Sequence, residues 1–314
     1  MTAVATAGDK FVTVGERGHI LIFKADGTSV QAAVPSSVTL TDVFFINENK
    51  GWVVGQAGII LRTLDGGKTW KKQLDGLEII AKLKSQATSN DSLRQEIRQW
   101  EEDGPDKPLL GIHFVDESRG FAVGAFGLLL ATQDAGEHWF PIMERMPNAE
   151  RRHLYAIRGK GAQLIIAGEQ GSLFVSNDAG NHFNRITTPY AGTYFDAAIL
   201  GGQTILAVGL RGNAFRSEDG GKTWGRVDLG SKYTITRAVV RRDESVVMVD
   251  EAGGIWRSQN SDKSFVRETL SGVFPFSGVA EGADGTLLAV GVRGAFKVPV
   301  STPITDTNQA KVKP

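Results

Sequence analysis

The sequence predicts an all-β fold, one seven-bladed β-propeller of four-stranded blades with a helical insertion between blades 2 and 3. Three observations predict it: a glycine-marked hairpin motif in seven copies, a near-constant spacing of about 41 residues between copies, and a column of apolar, mostly small residues ahead of every copy. The motif is an apolar pair, Gly, two residues, Gly, then an apolar run. It reads VTVGERGHILIF at 12–23, WVVGQAGIILRT at 52–63, FAVGAFGLLLAT at 121–132 and IIAGEQGSLFVS at 165–176. It continues as LAVGLRGNAFRS at 206–217, VMVDEAGGIWRS at 247–258 and LAVGVRGAFKVP at 288–299. The anchor positions Gly15, Gly55, Gly124, Gly168, Gly209, Asp250 and Gly291 lie 40, 69, 44, 41, 41 and 41 residues apart, so one insertion of about 28 residues explains the 69.

Unit 2 shows how each copy resolves. Residues 39–46 form a first strand, Gly51–Gly55 a second, Ile59–Thr63 a third and Thr69–Leu74 a fourth. The paired glycines suit a tight hairpin turn, where Gly supplies a positive φ without steric cost. The second and third strands are apolar on nearly every residue, which means both faces are buried between stacked sheets. Twelve residues ahead of each anchor stand Ala3, Val43, Ile112, Ala156, Ala197, Ala238 and Val279, as the crowded inner strand of a radial array requires. An α-solenoid is excluded by the β-branched, Gly-rich pattern, and a parallel β-helix needs a shorter repeat.

Composition bounds the function. The 314 residues carry 35 Lys+Arg against 35 Asp+Glu, so no bulk positive charge exists to neutralise the phosphates of a nucleic acid. There is no cysteine, which removes disulfides, thiolate metal sites and a cysteine nucleophile. No run of 18 apolar residues exists, so direct membrane insertion is not expected, and the start, MTAVATAGDK, lacks the basic and apolar regions of a signal peptide. The five histidines show no HxH or HExxH spacing and no Gly-rich loop opens a helix, so neither metal nor cofactor is expected.

A second motif follows the third strand. It runs Thr63…Asp65…Gly67…Trp70, Thr132…Asp134…Gly136…Trp139, Ser176…Asp178…Gly180…Phe183 and Ser217…Asp219…Gly221…Trp224, with a decayed copy from Ser258 to Phe265. This is the Asp-box pattern. The carboxylate can accept backbone N–H groups within the turn, glycine takes the left-handed position, and the aromatic ring packs between blades. A calcium loop needs several carboxylates at alternate positions, and Asp-x-Gly supplies one, so the turn reads as a fold staple.

Asp-boxes joined to the VGxxG hairpin in seven copies resemble the photosystem II stability/assembly factor family and its relatives in non-photosynthetic bacteria, over roughly residues 2–299. The resemblance implies a non-enzymatic, extracytoplasmic (periplasmic) propeller, acting as a monomer with a protein partner in a membrane-protein complex. Two departures stand out: blade 1 has only Ala25-Asp26-Gly27 where an Asp-box belongs, and the insertion at about 76–108 matches no family role.

Asp-boxes also occur in sialidases, so the alternative is a sialidase-like glycoside hydrolase acting at the channel mouth. That chemistry needs converging arginines and a Tyr–Glu pair. Thirteen residues ahead of the anchors stand Thr2, Asp42, Gly111, Tyr155, Asp196, Arg237 and Gly278; Asp42, Tyr155, Asp196 and Arg237 are the channel candidates, with an Asp196–Arg237 ion pair expected. No catalytic residue is assigned.

The candidate partner face is defined by Arg17, Arg211 and Arg293, which precede the second glycine of the hairpins in blades 1, 5 and 7. In a four-stranded blade these turns share a face with the linkers between blades, and the Asp-boxes lie on the other. The insertion therefore emerges beside the arginines. Leu93, Ile97 and Trp100 make one apolar helical stripe, either laid on the propeller or offered to a partner, and Phe126 is its natural packing partner. Ser92 with Gln95 reads as a capping box. Blade 7 lacks an Asp-box and a convincing fourth strand, and 300–314 read as a flexible tail. The closing strand is expected from a segment upstream of Met1, with residues 300–306 as the alternative.

Overall fold

The computed structural model describes residues 1–24, 26–86, 91–102, 104–259, 263–269 and 274–298. Seven antiparallel sheets stand in a ring, each in simple meander order. Blade 1 holds β1 (Ala3–Ala7), β2 (Lys10–Val14), β3 (Ile20–Phe23) and β4 (Ser29–Gln31). Blade 2 holds β5 (Leu40–Phe45), β6 (Gly51–Gly55), β7 (Ile60–Thr63) and β8 (Lys71–Leu74), followed by α1 (Gly76–Gln86) and α2 (Asp91–Glu102). Blade 3 holds β9 (Leu109–Phe114), β10 (Gly120–Gly124), β11 (Leu129–Thr132) and β12 (Phe140–Pro141). Blade 4 holds β13 (Leu154–Lys160), β14 (Gln163–Gly168), β15 (Leu173–Ser176) and β16 (Asn184–Arg185). Blade 5 holds β17 (Tyr194–Gly201), β18 (Thr204–Gly209), β19 (Ala214–Ser217) and β20 (Gly225–Val227). Blade 6 holds β21 (Ile235–Val240), β22 (Val246–Asp250), β23 (Gly254–Gln259) and β24 (Ser264–Thr269). Blade 7 holds β25 (Phe276–Glu281), β26 (Leu287–Gly291) and β27 (Gly294–Val298).

The small-residue column is the inner wall, as the spacing predicts. Ala3, Val43, Ile112, Ala156, Ala197, Ala238 and Val279 are all buried on the innermost strands. Four of the seven are alanine, which suits the crowding where seven strands converge. Side-chain bonds then tie several inner strands to the next. Thr41 Oγ1 donates to Leu109 O (2.6 Å), and Thr236 Oγ1 to Phe276 O (2.9 Å). The ring closes by the same device: Ser277 Oγ donates to Met1 O (3.0 Å) and Thr6 Oγ1 to Glu281 O (2.6 Å). Closure among the described residues thus joins the inner strands of blades 7 and 1. Sheet 7 has three strands there, and the 300–306 alternative lies outside the described residues.

The hairpin turn differs from the sequence expectation. The first glycine of GxxG does not supply the positive φ; Gly55 is extended at φ −171°. It is needed for closeness, since a Cβ there would stand 2.4 Å from Thr39 O. The left-handed conformation falls on the last two residues, Arg17 and Gly18 in blade 1 (φ 53° and 69°), Arg211 and Gly212 in blade 5 (57° and 67°). In blade 6 Asp250 replaces the first glycine. Its buried carboxylate accepts N–H bonds from Gly254 (2.7 Å) and Ala252 (2.9 Å) and pairs with Arg267 (2.8 Å), so side-chain bonds hold that turn.

The Asp-boxes are local staples with one repeated geometry. In blade 2, Thr63 Oγ1 donates to Asp65 Oδ1 (2.8 Å) and accepts the Gly67 N–H (3.0 Å). Asp65 Oδ1 accepts the Thr69 N–H (3.0 Å), and Trp70 Nε1 donates to Gly67 O (2.9 Å). Blades 3, 4 and 5 repeat the Ser/Thr–Asp–Gly bonds around Asp134, Asp178 and Asp219. Burial, the largest single influence on the Asp178 carboxyl, pushes it up, but the His182 N–H, the His182 ring and the Ser176 hydroxyl together outweigh it, and its pKa falls to about 2. The Thr223 hydroxyl and N–H likewise lower Asp219 to about 2. A carboxylate lowered on folding stabilises above its ordinary value near 3.8 and ceases to do so as pH falls through its folded pKa, so these staples weaken between pH ~4 and ~2.

The residue after the box aspartate is left-handed everywhere, but it is Gly66 and Gly220 in blades 2 and 5 and Ala135 and Ala179 in blades 3 and 4. An alanine there carries strain that glycine does not. The double substitution Ala135→Gly/Ala179→Gly is expected to stabilise the protein by ~1 kcal/mol, offset in part by glycine's entropy in the unfolded chain. A urea midpoint that stays put or falls counts against it.

The insertion packs onto its own propeller. The α1 N-terminus is a capping box at Asp75–Glu78, with the Glu78 N–H donating to Asp75 Oδ1 (3.1 Å) and the Asp75 N–H to Glu78 Oε2 (2.9 Å). The Ser92–Gln95 pair lies where side chains are outside the described ones. Ile79, Ile80 and Leu83 of α1 join Ile97 and Trp100 of α2 in one core with Ile142 and Met143 of blade 3. Trp100 meets Phe126 at 6.1 Å between ring centroids, as the stripe predicts, and the Lys107 ammonium lies over both rings.

Candidate functional site

Two regions were singled out by sequence, the channel and the arginine face. At the channel centre four side chains from four blades meet. Arg158 Nε lies 3.0 Å from Asp196 Oδ1 and its Nη1 3.4 Å from Asp42 Oδ2. Arg237 Nη2 lies 3.2 Å from Asp42 Oδ1, and its Nε 3.6 Å from Asp196 Oδ2. The expected Asp196–Arg237 contact is therefore the looser of Arg237's two pairings. Each carboxylate also reaches across to the next blade: Asp42 accepts the Ile112 N–H (3.2 Å) and Asp196 the Ala238 N–H (3.0 Å). Burial pushes Asp42 up, and Asp196 up to about 6, against the pull of Arg158.

Arg158 escaped the sequence reading. The column taken there was a single position per blade. A register shift between Leu154 and Ala156 restarts the strand alternation, so Arg158 follows the inner-wall Ala156 by two residues. Counting on from the small-residue column would have reached it.

The quartet separates two mouths. One, about 310 Å³, is lined by Thr2, Thr41, Tyr155, Phe195 and Arg237 on the arginine side. The other, about 570 Å³, is lined by Phe44, His113, Arg158, Lys160 and Arg237 on the Asp-box side. Tyr155 packs edge-on against Phe195 (5.1 Å) at the first mouth. The two arginines at the centre are held by the chain's own carboxylates. They form ion pairs that hold blades together, not a set of free guanidiniums awaiting a substrate carboxylate.

Arg17, Arg211 and Arg293 are exposed at hairpin turns on one face. The backbone is left-handed at Arg17 and Arg211. The same face carries exposed apolar side chains that the sequence reading missed: Leu210 and Val292 beside two of the arginines, and Tyr233 on the linker into blade 6. Val292 is 76% exposed and Tyr233 48%. Their signal was present, an apolar residue after the first glycine of a turn where solvent-facing loops are usually polar. Of the insertion stripe, Ile97 and Trp100 are buried in the chain's own core, so those two side chains are already occupied. Leu93 falls on α2 where side chains lie outside the described ones.

Asp-box turns on a seven-bladed ring define the class, an Asp-box repeat propeller. The family model for the photosynthesis system II assembly factor YCF48 matches residues 25–97 and 94–193, over half of the chain, and the chain belongs to that family. It is 35% identical over 77 residues to a photosystem II assembly lipoprotein Ycf48 of Synechococcus sp. (strain CC9902), covering 24% of this chain and 23% of the relative. It is 24% identical over 151 residues to the chloroplastic photosystem II stability/assembly factor HCF136 of Arabidopsis thaliana, covering 47% of this chain and 31% of the relative. The chain thus matches less than a third of either relative's length. Among solved structures, YCF48 bound to D1 peptide aligns over 58% of this chain and 60% of that one, at 18% identity and a TM-score of 0.50. A streptogramin B lyase aligns over 92% and 89% at 13% identity and a TM-score of 0.71, a likeness of fold alone.

Proposed function

We propose that this protein is a non-catalytic assembly scaffold that holds an extended segment of a membrane-protein subunit against its arginine face, outside the cytoplasm. The observation that carries the reading is the company of Arg17, Arg211 and Arg293 with exposed Leu210, Val292 and Tyr233 on one face. Arginine and aromatic residues are enriched where proteins bind proteins, and arginine forks pair acidic side chains or a terminal carboxylate. Family membership supports the same reading, as does a relative solved with a peptide of the D1 protein. A relative described as a lipoprotein supports the location. No helix among the described residues is long and apolar enough to cross a membrane.

The test is affinity capture from detergent-solubilised membranes of the native host, using the parent and an Arg17→Glu/Arg211→Glu/Arg293→Glu variant. The variant is expected to lose the captured subunit while its melting temperature stays nearly unchanged, because exposed charges contribute little to stability. Equal capture by both proteins would move the docking face to the Asp-box side.

A further inference from the structure

The channel mouth on the Asp-box side carries a pair of side chains that ring closure does not explain. Four residues past the inner-wall column, cations stand only in blades 4 and 6, at Lys160 and Arg242, and blade 5 between them has Gly201. Gly201 and Gly202 leave a notch in the rim. A Cβ on Gly202 would meet nothing within 4 Å, and one on Gly201 only the Lys160 ammonium at 3.8 Å. Through that notch Lys160 reaches over blade 5 toward blade 6. Its ammonium donates to Leu200 O (2.9 Å) and faces the Glu244 carboxylate at 3.7 Å, beyond hydrogen-bond reach. The two side chains are 49% and 79% exposed. Lys160 therefore keeps donors to spare and a loose, solvent-facing counter-ion that a better-placed carboxylate can replace.

The bowl beneath this pair is largely apolar. Its volume of about 570 Å³ falls within the range of small-molecule sites. Phe44, Ile199, Val239 and Val240 line it, and all but Ile199 are only half-buried. His113 adds an uncharged ring, because burial, helped by the Arg158 charge, lowers its pKa to about 4. The charge presented to a ligand is one-sided. On the floor Arg158 and Arg237 are 18% and 17% exposed, whereas their partners Asp42 and Asp196 are 2% and 0%. Those guanidiniums stay with their carboxylates and lend only their positive potential. At the rim the exposed Arg242 donates to Ala283 O and pairs with no carboxylate among the described residues.

We propose that this mouth is a binding site for a small amphipathic carboxylate, its apolar body in the bowl against Phe44, Ile199 and Val240 and its head on Lys160 in place of Glu244. Low-dielectric walls lined by one sign of charge concentrate an anion at such a mouth. The apolar body supplies affinity and the single charged contact fixes its orientation. The quartet separates this mouth from the arginine side, so the two readings can fail independently. The triple arginine variant is expected to bind the carboxylate as the parent does.

The experiment is calorimetric titration of the full chain with 2-naphthoate. The controls are 2-naphthalenemethanol, an uncharged analogue of similar size, and acetate, the head without a body. Naphthoate is expected to bind saturably and about tenfold or more tighter than either control. Lys160→Met is expected to weaken naphthoate about tenfold and leave the alcohol unchanged, while Lys160→Arg retains the binding. Glu244→Gln, which removes the resident carboxylate, is expected to tighten naphthoate about threefold. All three variants should melt near the parent's temperature, since both side chains are exposed at the rim. No saturable binding, equal binding of naphthoate and the alcohol, or unchanged binding in Lys160→Met overturns the proposal. So does about tenfold tighter binding of an acetylated pentapeptide ending in a free Phe carboxylate, which would make the mouth a site for a protein terminus.

Discussion

Trp139→Ala is expected to lower the stability of this propeller by ~3–5 kcal/mol, the largest effect of any single Asp-box substitution. Trp139 is 1% exposed and meets Phe114 edge-on at 5.9 Å, while Trp52 stacks on the other side of that ring at 3.5 Å. Deleting the indole leaves a void at the blade 2–3 seam, and both blades are already committed to their neighbours, so little can collapse into it. Trp224→Ala is expected to cost less, since that ring is only half-buried. The comparison is a pair of urea titrations under one buffer. Equal losses, or a smaller loss for Trp139, would mean that burial between blades is not what the box aromatic contributes.

Asp196→Ala is expected to cost ~3–5 kcal/mol, because it leaves two largely covered guanidiniums with one carboxylate between them. Arg158 and Arg237 would then share Asp42 alone, and the Ala238 N–H across the seam would lose its acceptor. Asp196→Asn is the informative companion. Burial raises the Asp196 pKa to about 6 from an ordinary 3.8, so the folded state holds a proton that the unfolded state has released between those values. Stability from this group is therefore full below pH ~4 and declines as pH rises through ~6. The asparagine variant is expected to lack that decline. A parent and a variant with the same stability slope from pH 4 to 6 would show that the carboxyl does not titrate there. The Asp-box carboxylates run the opposite way, losing their contribution toward pH 2, so the two groups separate by pH.

The repeat, the blade count and the Asp-box bonds were legible in the sequence because each rests on residues near one another in the chain. Thr63, Asp65, Gly67 and Trp70 complete their bonds within eight residues, so the motif contains its own explanation. The inner-wall column was legible because a ring of seven similar units repeats the same steric demand at one position. The Trp100–Phe126 contact followed from a helical stripe and from knowing which turns share a face.

Tertiary structure decided the rest. The channel quartet joins Asp42, Arg158, Asp196 and Arg237 across up to 195 residues, and although Arg158 stands two residues past the inner-wall column, only the closed ring decides which carboxylates it meets. The role of the first hairpin glycine changed for the same reason. Its constraint is the Thr39 carbonyl just ahead of β5, not its own φ. Ile97 and Trp100 read as either covered or free until the fold showed which surface lay beneath them. Local bonding and periodic sterics are written in neighbouring residues, whereas pairing across blades depends on which strands the closed ring brings together, and that is a property of the assembled ring.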